Sequence, residues 1–211
     1  MAVSPKIHAI LTGDIVNSSR LLPREQKLFL DRLNQAFGNH PHEYYRGDSF
    51  QVYIDDPRQA LKVSLQCRAT AISFAKDYEA SPYDVRISIG VGTVNRPMKI
   101  LLAATGEAFL LSGRNLDEIS NTNIRLIIVT GNELANAGLA VLTDYINSIF
   151  EHMTPKQAEI ISGLLAGNTQ QSIAQQLSKS KSTVHQLTVS GRWQEIEKLL
   201  QRFENLINYL L

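Results

Sequence analysis

The order in which strand-like and helix-like apolar patterns follow one another constrains this chain more than any other feature. The run "IHAIL" at 7–11 is short and apolar, as a buried strand is, and it halts at Gly13-Asp14 inside "AILTGDIVNSSR". Pro23 then opens a segment in which Leu28, Phe29, Leu33 and Phe37 recur at helical spacing up to Gly38. "EYYRGDSFQVYI" is aromatic and β-branched around a second Gly-Asp, at 47 and 48, which is the pattern of a hairpin. Pro57 starts another helical pattern through Ala60, Leu61, Leu65, Ala69 and Ile72. "DVRISIGVGTV" alternates Val85, Ile87 and Ile89 as a strand does, a helix runs to roughly Leu116, and "IRLIIV" reads as the last strand.

The element order is therefore β-α-β-β-α-β-α-β. It predicts an α+β domain over residues 1–138, a ferredoxin-like, palm-type antiparallel sheet with helices on one face. From 139 onward no strand pattern remains. "VLTDYINSIFEHM" reads as a connecting helix, and residues 153–211 are helical with breaks near Gly167-Asn168, Ser178 and Gly191. Residues 139–211 are thus predicted to form a small all-α module.

Composition narrows the function classes. With 44% hydrophobic and 19% charged residues the 211-residue chain suits a soluble globular protein. Its formal net charge of +1 supplies no global attraction to nucleic acid or membrane, so any DNA contact has to come from a local patch. The one cysteine, Cys67, forms no internal disulfide and suits a reducing, cytoplasmic compartment. No apolar run approaches a bilayer's thickness, so no membrane partner is expected. His40 and His42 flank Pro41 with no further ligands to complete a zinc site.

The C-terminal stretch "MTPKQAEIISGLLAGNTQQSIAQQLSKSKSTVHQL" carries the densest local signals. Thr154, Pro155 and Gln157 make a capping box with proline at the first helical position. Ile160, Ile161 and Leu164 form an apolar face, and Thr169 caps a short helix with Ile173, Ala174 and Leu177 turned inward. After a turn at Ser178 to Ser180, Thr183, Val184 and Leu187 carry a third helix. Two short helices joined by a tight turn are what a DNA-reading helix-turn-helix requires. The run resembles the LuxR-type and sigma-region-4-type helix-turn-helix over about 35 residues. That resemblance implies that Thr169, Gln170 and Gln171 touch phosphate, Lys179 and Lys181 meet backbone, and Ser182, Thr183, His185 and Gln186 face the groove of double-stranded DNA. Charge is thin here, with six basic against four acidic residues from 153 onward, so binding is expected to need a homodimer. The last helix has Trp193, Ile196, Leu199, Leu200, Phe203, Leu206, Ile207 and Leu210 on one stripe. It either supplies that dimer contact or packs back on its own module.

The two Gly-Asp pairs also have two readings. They are ordinary turns, or, with strands about 5 Å apart, they bring Asp14 and Asp48 together on one hard cation such as Mg²⁺ or Mn²⁺. "NSSR" (Asn17, Ser18, Ser19) adds amides and hydroxyls that suit a nucleotide's phosphates. Together "ILTGDIVNSSRL", "YRGDSFQVYI", "RISIGVGTV" and "TGEAFLLSGRNLDEI" resemble the class III nucleotidyl cyclase domain, in its order, over most of residues 6–130. The resemblance implies that Asp14 and Asp48 hold metal and that Arg114 stabilises phosphate charge, with Arg86, Gly92 and Val94 in their expected places. It also implies a head-to-tail dimer in which Arg114 faces the partner's aspartates. "GDIVNS", "RGDSFQ" and "GEAF" with a helix-turn-helix tail are similar to the SatD family. The departures are specific: Leu110 stands for the ribose-orienting asparagine, Tyr44 for the purine-reading lysine, and Ala103 for its polar partner. Each lost buried hydrogen-bond partner removes roughly 1–3 kcal/mol of discrimination. The expected function is therefore a DNA-binding regulator with a degenerate nucleotide- and metal-binding sensor. A divergent Mg²⁺-dependent nucleotidyl cyclase or nucleotidyltransferase is the alternative, and a protein-interaction scaffold a third.

Overall fold

In the computed structural model, residues 6–45, 47–75, 83–95 and 100–211 are described. Arg46, inside the expected hairpin turn, lies outside them, as do the first five residues of the N-terminal stretch. The elements are β1 (Ile7–Val16), α1 (Pro23–Phe37), β2 (His42–Tyr45), β3 (Ser49–Ile54), α2 (Ala60–Phe74), β4 (Asp84–Thr93), α3 (Glu107–Ile119) and β5 (Leu126–Thr130). They are followed by α4 (Glu133–Glu151), α5 (Pro155–Leu165), α6 (Gln170–Gln176), α7 (Lys181–Ser190) and α8 (Trp193–Asn208). The chain is α+β, with a five-stranded sheet in the order β2-β3-β1-β4-β5. Along β2-β3-β1-β4 each strand is antiparallel to its neighbour, and β5 joins β4 in parallel through the α3 crossover.

Alternation along β1 splits the interior in two. Ala9, Leu11 and Ile15 enter the main core with α1 and α2, whereas Ile10 joins Tyr53, Leu101 and Ala108 in a second cluster. Helices on one face describes α1 and α2. Helix α3 lies on the opposite face, where Thr12 and Ser112 share a hydrogen bond of 2.8 Å between their hydroxyl oxygens. A crossover helix between parallel strands has to cover some face, and the first was already occupied.

The first strand does not stop at Gly13-Asp14. It continues to Val16, because Gly13 pairs with Phe50 and Ile87, and Asp14 with Ser49 and Arg86, on its two neighbours. Gly13 is required there by close approach: a Cβ would lie 2.5 Å from Phe50 Cζ and 2.7 Å from the Arg86 carbonyl oxygen. Helix α1 begins at Pro23 as expected, with the Glu25 carboxylate accepting the Leu22 N–H at 3.0 Å. The Pro57 segment opens as a short 3-10 turn, Pro57–Gln59, before α2.

The boundary expected between 138 and 139 falls within α4, which starts at Glu133 because Asn132 caps it by accepting the Ala135 N–H at 3.0 Å. Leu139, Leu142, Ile146 and Phe150 of α4 share one core with the sheet, and so do Ala158, Ile161 and Leu165 of α5. Gln66 on α2 donates to the Ser162 hydroxyl on α5 at 2.7 Å. The α8 stripe is spent inside the chain: Ile196, Leu199, Phe203 and Ile207 are buried in that same core, so of its two readings packing back is the one observed, and it reaches beyond the helical module to the sheet. No helix among the described residues is long and apolar enough to cross a membrane.

Candidate functional site

Strand pairing brings the two Gly-Asp sites together. The Ile15 N–H donates to the Asp48 carbonyl at 2.9 Å, so Asp14 and the β2–β3 turn sit at the same end of the sheet. Beyond Val16 the chain turns through Asn17, in the left-handed region at φ 63°, into a 3-10 turn over Ser18–Arg20. That turn lets the Ser18 hydroxyl donate to Asp48 Oδ2 at 2.9 Å, and Ser49 donates to Asp48 Oδ1 at 3.4 Å. Ser19 is exposed.

Asp14 has a partner of its own. Arg86, directly opposite on β4, donates from Nη1 to Asp14 Oδ2 at 3.0 Å. Burial raises the Asp14 carboxyl's pKa above its ordinary value. Arg86 opposes this through its charge and hydrogen bond, while the nearby Asp48 charge adds to the rise. The Nε of Arg86 is buried with no hydrogen-bond partner among the described residues.

Two carboxylates and a serine hydroxyl are the donor set a hard cation can use when phosphate oxygens and waters complete its octahedron. No cluster of three or more His, Cys, Asp or Glu side chains that could hold a metal is present among the described residues. A cation here would have to compete with Arg86 for Asp14.

Arg114 is exposed on α3, without an ion pair among the described residues. It is not among the hydrogen-bond or ion-pair partners of Asp14 and Asp48. Leu110 is half exposed on the same helix. Tyr44 serves the fold, with its hydroxyl donating to Asn34 Oδ1 on α1 at 2.9 Å and its ring packed against Phe37 and Phe50.

At the other end of the chain, α5, α6 and α7 meet around Ile160, Ile173, Ala174 and Val184. The helices α6 and α7 are joined by a short turn containing Ser178 at φ 51°, and Ser180 caps α7 by accepting the Thr183 N–H at 3.0 Å. With Val184 and Thr188 turned inward, α7 presents Lys181, Ser182, Thr183, His185 and Gln186 to solvent. Thr169 and Gln171 are exposed at the start of α6 and Gln170 is half-buried. Lys179 lies 3.9 Å from the Glu159 carboxylate, and Lys181 donates to Gln171 at 3.5 Å.

What the sequence reading missed is the set of charges behind Asp14. Arg68 is 1% exposed, donates to both oxygens of Asp84 (3.2 and 2.7 Å) and to Asn147 Oδ1 (3.1 Å), and lies over the Phe150 ring. An arginine within an otherwise apolar helical face was the signal that could have found it.

No protein-family model matches the chain, and no curated protein matches it. Among solved structures it is similar to a bacterial light-regulated adenylyl cyclase at 12% identity and a TM-score of 0.41, over 60% of this chain and 77% of that one. A second structure of a bacterial light-regulated adenylyl cyclase is 13% identical with a TM-score of 0.39, over 60% of this chain and 44% of that one. Likeness at this level leaves the function to be argued from the chain's own residues.

Proposed function

We propose that the protein is a cytoplasmic, homodimeric DNA-binding transcriptional regulator whose α+β part is a degenerate, cyclase-like sensor of a nucleotide and a metal ion, as the resemblances to class III cyclases and to helix-turn-helix modules imply. The observation that carries this reading is the solvent face of α7. Five polar or basic side chains lie on it, while Val184, Ile173 and Ala174 lock the helix against α6. This is the arrangement in which a helix enters the major groove with its N-terminal residues against base edges. With few cations on the face, phosphate contacts contribute little per protomer, and a dimer doubles them.

Fluorescence anisotropy on a duplex from the protein's own promoter region, titrated with salt, tests the reading. The double variant Thr183→Asp with His185→Glu is expected to weaken binding at least about tenfold, because two acids then face phosphate and base edges. Binding that survives the pair unchanged would remove α7 as the reader.

A second reading, a divergent Mg²⁺- or Mn²⁺-dependent nucleotidyl cyclase or nucleotidyltransferase, is favoured by the convergence of Asp14 and Asp48 at one sheet end. In either case the aspartates hold the cation, Asn17, Ser18 and Ser19 lie beside the phosphates, and Arg114 of a partner protomer neutralises phosphate charge. The cation requires Asp14 deprotonated, and its pKa is raised, so Mn²⁺ affinity is expected to climb as pH rises through that raised value. Asp48→Ala is expected to lower the affinity at least about tenfold. Electron paramagnetic resonance of free Mn²⁺ checks both. Incubation with each nucleoside triphosphate and Mn²⁺ separates enzyme from sensor: a cyclic or oligomeric product that vanishes in Asp48→Ala identifies an enzyme.

A further inference from the structure

A cavity of about 370 Å³ opens where β1 ends, walled by α2, the start of β4, the loop between α3 and β5, and α4. Three arginines lie at or near it, and two have their charge answered. Arg68 is held by Asp84 at 2.7 Å, and Arg86 by Asp14 at 3.0 Å. Arg125, which lines the cavity, has no such partner: among the described residues no carboxylate lies within ion-pair distance of it. Its Nη1 donates to two carbonyls of its own loop, Thr122 at 3.1 Å and Ile124 at 3.5 Å. The guanidinium is half-buried, and that burial, with Arg86 adding to it, lowers its pKa; Asp84 offsets only part.

We propose that this cavity binds a small oxyanion, a carboxylate or a phosphoryl group, on Arg125, with the Asn123 side-chain amide as a second donor. A guanidinium is a planar fork that takes two oxygens of a carboxylate or phosphate at once. Asp84, the carboxylate nearest to hand, is already committed to Arg68. Glu151, the other acid in the lining, is exposed and makes no ion pair among the described residues. The volume admits an anion of metabolite size. The cavity adjoins the nucleotide site proposed above and shares Asn17 with it, but its anion is held by Arg125 and Asn123, which that reading does not use. Its position gives it a consequence. The loop carrying Arg125 leads into β5, and Asn147 of α4, also in the lining, donates to the Leu126 carbonyl at 2.9 Å, so an anion bound here sits where α4 meets the sheet and stabilises the folded chain by mass action.

The experiment uses the full chain, with inorganic phosphate in one arm and succinate in the other, each at ionic strength held constant with chloride. Thermal unfolding and isothermal titration are read together. A saturable rise in melting temperature is expected with at least one anion, and which one identifies the source chemistry. Arg125→Gln is expected to weaken that binding at least about tenfold, and Asn123→Ala about threefold, while Arg24→Ala, an exposed arginine on α1, leaves it unchanged. Asn123 is exposed in a loop, so its variant remains informative if Arg125→Gln fails to fold. The proposal is overturned if neither anion gives a saturable shift, or if the folded variants at 125 and 123 bind as the wild type does.

Discussion

Replacing Arg68 with alanine is expected to destabilise the protein by about 3–5 kcal/mol, the range for breaking a buried ion pair from one side. The side chain is 1% exposed and makes three hydrogen bonds, two to Asp84 and one to Asn147. Its guanidinium also lies 4.8 Å from the centre of the Phe150 ring. Truncation removes all of these and leaves Asp84 part-buried without its ion-pair partner. Arg68→Met separates packing from charge, since it keeps most of the apolar stem. It is expected to remain strongly destabilised, and the double variant Arg68→Met, Asp84→Leu to recover much of the loss, because an apolar pair no longer leaves a charge in the interior. Urea unfolding of the three variants decides. A loss below about 1 kcal/mol in both single variants would show that the ion pair does not hold α2 to the sheet.

Gly90→Val is the second large effect. The position faces α3, and a Cβ there would overlap the Ala108 carbonyl oxygen and lie 2.6 Å from the Ser112 nitrogen. Both are backbone atoms of a helix, so no side chain can turn aside, and α3 has to shift off the sheet. A loss of about 3 kcal/mol or more is expected, at the upper end for overpacking. Gly113, on α3 itself, is the control. Nothing lies within 4 Å of its would-be Cβ, so Gly113→Ala is expected to be neutral or to gain roughly 0.5–1 kcal/mol from helix propensity. Equal losses at the two positions would mean that backbone freedom, rather than contact with α3, sets the effect.

Local chemistry was readable and long-range partners were not. Thr154, Pro155 and Gln157 announce the start of α5 because a capping box is complete within four residues. The β-α-β-β-α-β-α-β order was legible from apolar period together with the prolines and the Gly-Asp turn that punctuate it. Asp14 was misplaced as the end of a strand because a carboxylate after an apolar run looks like a turn. What keeps it inside β1 is Arg86, 72 residues away and opposite it only once β4 has paired. Arg68 was passed over for the same reason, since its partners stand 16 and 79 residues off. The face chosen by α3 rests on Ser112 packing directly against Gly90 of β4, which no window of sequence contains. An amphipathic stripe such as that of α8 says that a partner exists without saying whose, and here the partner is the chain's own interior.

That shared interior has a thermodynamic corollary. Phe203 and Ile207, near the C-terminus, rest in one apolar mass with Leu11 and Ile89 of the sheet. A calorimeter should therefore record a single endotherm for the whole polypeptide, with neither end outlasting the other. Grafted onto another scaffold, the helices from α5 onward would arrive with a raw hydrophobic flank, and would aggregate before they could be asked what they recognise.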